Sequence, residues 1–223
     1  MCGRFNLQAT PVQLKEIFDL LRADDFPQRY NIARTQTVPI VRLDPESNRE
    51  LVPMRWGLIP GWAKDIKIGA SLINARGETV AEKPSFRTAF KRHRCLVPAS
   101  GFYEWLREGK DMKPFYIHRT DDQPFAMAGL WERWNQSGEP IESFSIITTS
   151  ANSLMSSIHD RMPVLVEPNL FEAWLDPKAE PEFLKGLVQP QEWNGFELVP
   201  VSTVVNNARN DTPECVQALT TQG

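Results

Sequence analysis

Between residues 38 and 149 the chain breaks into short apolar runs divided by turn signals, with no regular alternation of strand and helix patterns. That spacing constrains the fold most: it is the pattern of hairpins, and it excludes a parallel sheet wound with crossover helices. Residues 38–43 and 51–56 each carry a proline, Pro39 and Pro53, and so read as edge or bulged strands. Further strands are expected at 95–97, 101–105, 115–119, 125–131, 143–149 and 196–201. Glu108-Gly109-Lys110 and Asp121-Asp122-Gln123 supply turns between them.

One helix has a clear start. Thr10 can cap it, Pro11 suits the first helical position, and Gln13 completes a capping box. Leu14, Ile17, Phe18 and Leu21 follow at helical spacing, and Asp24, Asp25 and Pro27 end the segment. Residues 168–175 and 181–187 read as short helices. No internal repeat and no low-complexity segment interrupts the chain. The expected fold class is α+β: a curved, mainly antiparallel, barrel-like sheet core with a few flanking helices, forming a single domain over 1–223.

Composition narrows the function classes. The formal charge is −3, from 25 basic and 28 acidic residues, which on its own argues against a nucleic-acid binder. A mean hydropathy of −0.38 and the lack of any 18-residue apolar run argue against a membrane protein. No signal-peptide pattern is present, and three cysteines are too few for a disulfide scaffold, so a reducing, cytoplasmic setting is expected. Cys95 and Cys215 lack metal-ligand spacing and the three histidines are scattered, so no metal is expected. Neither a GxGxxG nor a GxxxxGK[ST] motif occurs, so no nucleotide cofactor is expected.

Cys2 stands apart. Without Met1 it would carry an α-amine and a thiol on adjacent carbons, and an α-amine titrates near ~7.7–8.0, far below lysine. Such a 1,2-aminothiol condenses with an aldehyde to an imine and then closes a five-membered thiazolidine. The plain alternative is an incidental residue at a frayed terminus. Gly3 allows close backbone approach, and Arg4 offers a planar cation for phosphate or carboxylate. Asn74, Arg76 and Glu78 alternate and, on an extended backbone, share one face: a polar site wall or a solvated strand. Glu104 sits among Phe102, Tyr103 and Trp105, where burial would raise its pKa and suit it to proton transfer. His159 lies between Ile158 and Asp160, with Arg161 beyond, a candidate acid/base or a structural histidine. Thr148 offers a hydroxyl nearby. Lys83, Arg87, Lys91, Arg92 and Arg94 form the one basic stretch, either a solvated helix face or a local phosphate-binding patch.

In order along the chain, Met1-Cys2-Gly3-Arg4-Phe5, Arg29-Tyr30-Asn31-Ile32-Ala33, Arg55-Trp56-Gly57-Leu58-Ile59-Pro60, Asn74-Ala75-Arg76-Gly77-Glu78-Thr79, Arg94-Cys95-Leu96-Val97-Pro98, Gly101-Phe102-Tyr103-Glu104-Trp105 and His159-Asp160-Arg161-Met162-Pro163 closely resemble the SOS-response-associated peptidase (SRAP) family of abasic-site processing proteins. The resemblance implies the substrate: an abasic site in single-stranded DNA, whose ring-opened sugar is an aldehyde. It implies that an exposed Cys2 becomes the N-terminal residue and forms a Schiff base at C1′, then a stable thiazolidine. It further implies that His159 is the acid/base for ring opening and reversal. Glu104 would handle protons at the amine, and Asn74 would hold the cysteine and the adduct. Gly3, Arg4, Arg76, Thr148 and Arg161 would line the DNA backbone or sugar, and Trp62 would stack on a base. The peptidase label would refer to removal of Met1, and lyase-type activity comes with the resemblance. It also implies a monomer, associated with the nucleoid when DNA-bound.

Two departures stand out. Arg34 replaces the family's usual proline after Asn-x-Ala, and the loop from Trp62 to Ser71 is long. Two other classes compete: an N-terminal-nucleophile glutamine amidohydrolase, which would release ammonia from glutamine, and a non-catalytic single-strand binder using residues 83–94, indifferent to the lesion.

Overall fold

The structure is a computed structural model that describes residues 2–136 and 138–219. The chain enters through β1 (Arg4–Leu7), helix α1 (Pro11–Phe18) and β2 (Arg29–Ala33), then forms the hairpin of β3 (Thr37–Leu43) and β4 (Arg49–Trp56). A loop with a 3-10 turn at Ile66–Ser71 leads to the short β5 (Asn74–Arg76) and then α2 (Arg87–Arg92). Next come β6 (Arg94–Ala99), β7 (Gly101–Glu108), β8 (Asp111–Arg119), β9 (Phe125–Trp134) and β10 (Ile141–Ser150). The short strands β11 (Arg161–Pro163) and β12 (Leu165–Val166), helices α3 (Phe171–Leu175) and α4 (Pro181–Leu187), and β13 (Phe196–Pro200) complete it.

The fold is α+β, as the hairpin spacing predicts. Strands β10, β4, β3, β6 and β9 are neighbours in that order, and β9 pairs back onto β10, so the five close into a barrel. Closure removes the exposed edges a sheet of this size would otherwise present. A second sheet, ordered β13-β8-β7-β1-β2, packs beside it. Pairing is antiparallel except where β10 runs parallel to β4 and to β5.

Two expectations need correction. The first helix does not run to residue 24: it stops at Phe18, with Asp19 left-handed at φ 51. Leu21, placed on the helical face by spacing, lies beyond the end and is 70% exposed. The start is as expected: Thr10 and Gln13 form the reciprocal capping box. Strands β3 and β4 are also not edges; each has neighbours on both sides within the barrel. The prolines are accommodated because β3 meets β6 only at Val41, and β4 meets β10 only at Arg55 and Trp56. Pro39 and Pro53 face each other where each strand is paired on one side alone.

One continuous apolar core spans barrel and second sheet. Trp56 links them: its ring meets Phe5 of β1 edge-on at 5.1 Å and stacks at 6.3 Å on Phe144 of β10. Each such pair adds about 0.5–1.5 kcal/mol beyond area burial. Gly57 (φ +122) and Gly69 touch backbone to backbone, and a Cβ on either would lie 2.5 Å from the other's carbonyl oxygen. Trp134 Nε1 donates to the Ala63 carbonyl at 2.7 Å. Those contacts seat the long 62–71 loop against the barrel.

Candidate active site

The site assembles where β1 and β7 of the second sheet meet barrel strand β10 and its flanking strands β5 and β11. Parallel pairing with β10 sets Asn74, Ala75 and Arg76 level with Ile146, Ile147 and Thr148. The pleat then buries Ala75 and turns Asn74 and Arg76 to the other face. Extended backbone ends at Arg76, so Glu78 stands in a turn rather than on the strand face its alternation suggested.

Asn74 reaches the chain's start. Its Nδ2 donates to the Cys2 carbonyl at 2.8 Å. Its Oδ1 is buried and meets no donor among the described residues. Cys2 itself is wholly buried, contrary to the exposed position the resemblance implied. The reason is topological: Cys2 lies one residue ahead of β1, an interior strand between β2 and β7, separated from it by Gly3, and its side chain joins the apolar core. Strand β1 pairs with β7 at Phe5↔Phe102 and Asn6↔Gly101, and the same register continued brings Glu104 level with Gly3.

Glu104 is 3% exposed, and burial pushes its carboxyl above the ordinary glutamate range, a rise that His159 would oppose when protonated. Burial, and then the charge of Glu104, push the Cys2 thiol up as well. A hydrogen bond thus links Asn74 to Cys2, and charge links Cys2 to Glu104 and Glu104 to His159. His159 Nδ1 accepts the Arg161 backbone N–H at 2.9 Å. The same nitrogen lies 2.9 Å from Asp160 Oδ1. The amide is fixed in the strand, whereas the Asp160 side chain is 87% exposed and can turn into water, so the amide sets the ring. The neutral imidazole then carries its proton on Nε2.

The residues expected on DNA fall into two groups. Trp62, 57% exposed, and the exposed Arg76 face solvent. The others have internal partners. Arg4 Nη1 donates to Asn31 Oδ1 at 2.7 Å and to the Val205 carbonyl at 2.8 Å, and burial lowers its pKa. Thr148 is buried, and its carbonyl accepts from Arg161 Nη2 at 2.6 Å. Arg161 is held bidentately by Glu78. Gly3 is half-buried beside Arg4. Arg34 occupies an exposed turn between β2 and β3.

The basic stretch divides likewise. Lys83, Arg87, Lys91 and Arg92 are exposed, but Arg94 is 3% exposed and belongs to no surface patch. It donates to the carbonyls of Phe90, Trp174 and Asp176, which tie β6 to α2 and α3. Burial lowers its pKa to about 10. Cys95 and Cys215 are buried packing residues. Among the described residues no three His, Cys, Asp or Glu side chains group as a metal site.

Asn31 was not singled out for its side chain, yet it organises one flank. Its Nδ2 donates to the carbonyls of Val205, Asn207 and Asn210, and Asp211 accepts from the backbone of Tyr30 and Asn31. The only sequence signal was its place in the Arg29–Ala33 motif, since its partners lie more than 170 residues away.

A barrel-based α+β fold with a buried cysteine just ahead of its first strand, held by an amide and facing a buried carboxyl, defines the class. The family model for SOS response associated peptidase (SRAP) matches residues 1–208, and the chain belongs to that family. Among its relatives, abasic site processing protein YoqW of Bacillus subtilis is 42% identical, over 98% of this chain and all of that one. Abasic site processing protein YedK of Escherichia coli is 32% identical, over 98% of this chain and all of its own. Abasic site processing protein HMCES of Xenopus tropicalis is 34% identical, over 88% of this chain and 68% of that protein. A solved structure of a Bacteroides thetaiotaomicron protein superposes with a TM-score of 0.87 at 29% identity, covering 98% of this chain and all of the other.

Proposed function

We propose that this protein processes abasic sites in single-stranded DNA by forming a covalent thiazolidine crosslink through Cys2. The observation that carries the reading is the seat of Cys2: its carbonyl is held by Asn74 at 2.8 Å, and its thiol lies within the field of a buried Glu104. Relatives at 32–42% identity that bear the name abasic site processing protein support the substrate class.

Hydrolysis of the Met1–Cys2 bond, by the chain itself or by an aminopeptidase, frees the α-amine. The amine attacks C1′ of the ring-opened sugar aldehyde, and loss of water from the carbinolamine leaves an imine. The thiol then adds across the C=N bond: sulfur bonds to C1′, its proton passes to nitrogen, and the five-membered ring closes. A thiol held protonated by burial needs a proton acceptor at that step, and a carboxyl raised by burial can both take and return a proton. Glu104 fills that role. His159, coupled electrostatically to Glu104, donates to the sugar ring oxygen as the ring opens and assists reversal. Asn74 holds the cysteine backbone, and its buried Oδ1, which meets no donor among the described residues, accepts from the amine or the sugar. Trp62 and Arg76 meet base and phosphate directly. Gly3, Arg4, Thr148 and Arg161 shape the wall against which the sugar and backbone lie. Lyase-type strand chemistry would proceed through the same imine. The protein acts as a monomer, in the cytoplasm, at the nucleoid when bound to DNA.

The test is incubation with an abasic single-stranded oligonucleotide, followed by denaturing electrophoresis and intact mass. The expected result is a heat-stable adduct on protein lacking Met1. An adduct that persists in Cys2→Ala, or none with the wild type, would sink the proposal.

A further inference from the structure

His159 owes its orientation to a backbone amide, and that amide belongs to Arg161. Arg161 opens β11, paired with β10 through Ser150↔Arg161, Thr149↔Met162 and Thr148↔Pro163. Its side chain is only 10% exposed and is gripped by one carboxylate, the 42% exposed Glu78: Oε1 pairs with Nη1, and Oε2 accepts from Nη2 at 2.9 Å. Two parallel charge-assisted bonds fix the plane and position of a guanidinium as a single bond does not. The chain of contacts therefore runs from Glu78, in the turn after β5, through the Arg161 side chain to its backbone, and from that N–H to the ring.

We infer that Glu78 is a positioning residue for His159, acting through Arg161: by seating the first residue of β11, it holds the amide that keeps His159 with Nδ1 as acceptor and Nε2 protonated. The consequence for chemistry rests on the proposed function, because only there does the ring act on a sugar; the placement of the ring does not. With Nδ1 occupied, the neutral imidazole presents its Nε2–H as a donor. A ring released from the amide would exchange tautomers and rotate, and would present that donor for only part of the time. Arg161 Nη2 also donates to the Thr148 carbonyl at 2.6 Å, and the β10–β11 pairing is independent of Glu78, so removing the carboxylate loosens the seat without dissolving the strand.

The chain has three histidines, so nitrogen-15 histidine labelling gives a sparse spectrum in which two-bond proton–nitrogen couplings report each tautomer. Replacing His93 and His118 singly completes the assignment. The wild type is expected to show His159 protonated on Nε2. Glu78→Ala is expected to show a tautomer mixture and a crosslinking rate lower by roughly ten- to a hundredfold, the scale for a displaced catalytic group. Glu78→Asp, which keeps the charge on a shorter arm, should recover part of both signals. A folded Glu78→Ala that retains the Nε2–H pattern and the wild-type rate overturns the inference. If Glu78→Ala does not fold, Glu78→Gln takes its place, and an unchanged tautomer there overturns it equally. Should no variant, wild type included, form a crosslink while the tautomer still depends on Glu78, the proposed reaction fails and the positioning role stands.

Discussion

Asn74 and Cys2 are 72 residues apart, yet a 2.8 Å hydrogen bond from the Asn74 side-chain amide fixes the Cys2 carbonyl. That bond holds the Cys2 backbone, and in the proposed reaction it involves neither the amine nor the thiol. Asn74→Ala should therefore slow crosslinking by about a hundredfold, the effect of losing near-attack geometry. Binding to an intact oligonucleotide should persist. Quenched time courses on denaturing gels measure the first, and fluorescence anisotropy the second; equal loss of both would make Asn74 a binding residue instead.

Glu104 carries a pH signature. Its folded-state pKa is raised, chiefly by burial. A group of that kind contributes stability that is fully present below its unfolded pKa, about 4.3 for glutamate, and lost as pH rises through the folded value. Glu104→Gln keeps the shape but cannot ionise. Its Tm relative to wild type should rise as pH increases above about 4, while crosslinking slows. A Tm difference that is flat with pH would contradict the assignment.

Glu78 has the opposite sign. The Arg161 hydrogen bonds hold its carboxyl below the ordinary glutamate range, against a smaller opposing effect of burial. The stability it contributes is present above the unfolded pKa, about 4.3, and is lost as pH falls through the lower folded value. Urea midpoints of wild type and Glu78→Gln should differ by a constant amount near neutrality and converge in acid.

Asn31 anchors three carbonyls of the 205–210 loop and accepts from Arg4. Asn31→Leu leaves these groups buried without that partner, at a cost of roughly 2–4 kcal/mol. Chemical denaturation reads the loss directly. A change below about 0.5 kcal/mol would mean that water replaces the side chain.

Trp62 lies on a loop whose backbone is held by the Gly57–Gly69 contact and the Trp134 hydrogen bond, and its ring is exposed to solvent. Trp62→Ala should weaken single-strand binding by about 1–3 kcal/mol, the worth of one stacked base. The Tm should barely move. Unaltered affinity would remove Trp62 from the DNA path.

Local pattern carried much of this protein. Hairpin-spaced apolar runs with prolines determined an antiparallel α+β fold, and Thr10 with Gln13 determined where the first helix begins, because both effects act within a few residues. A cysteine at position 2, with Asn74, Glu104 and His159 in recognisable motifs, pointed to the proposed site. A barrel-like sheet was expected, but which strands close it was not legible, since the β9–β10 pairing depends on register, which no single segment specifies. Nor was the status of individual charges. Arg94 reads as surface and is buried on carbonyls; Arg161 reads as a DNA contact and is clamped by Glu78, 83 residues away. The sequence by itself determined which chemical groups are available. Only the tertiary structure decided which of them are already partnered and which face the substrate, because desolvation and pairing depend on neighbours distant in the chain.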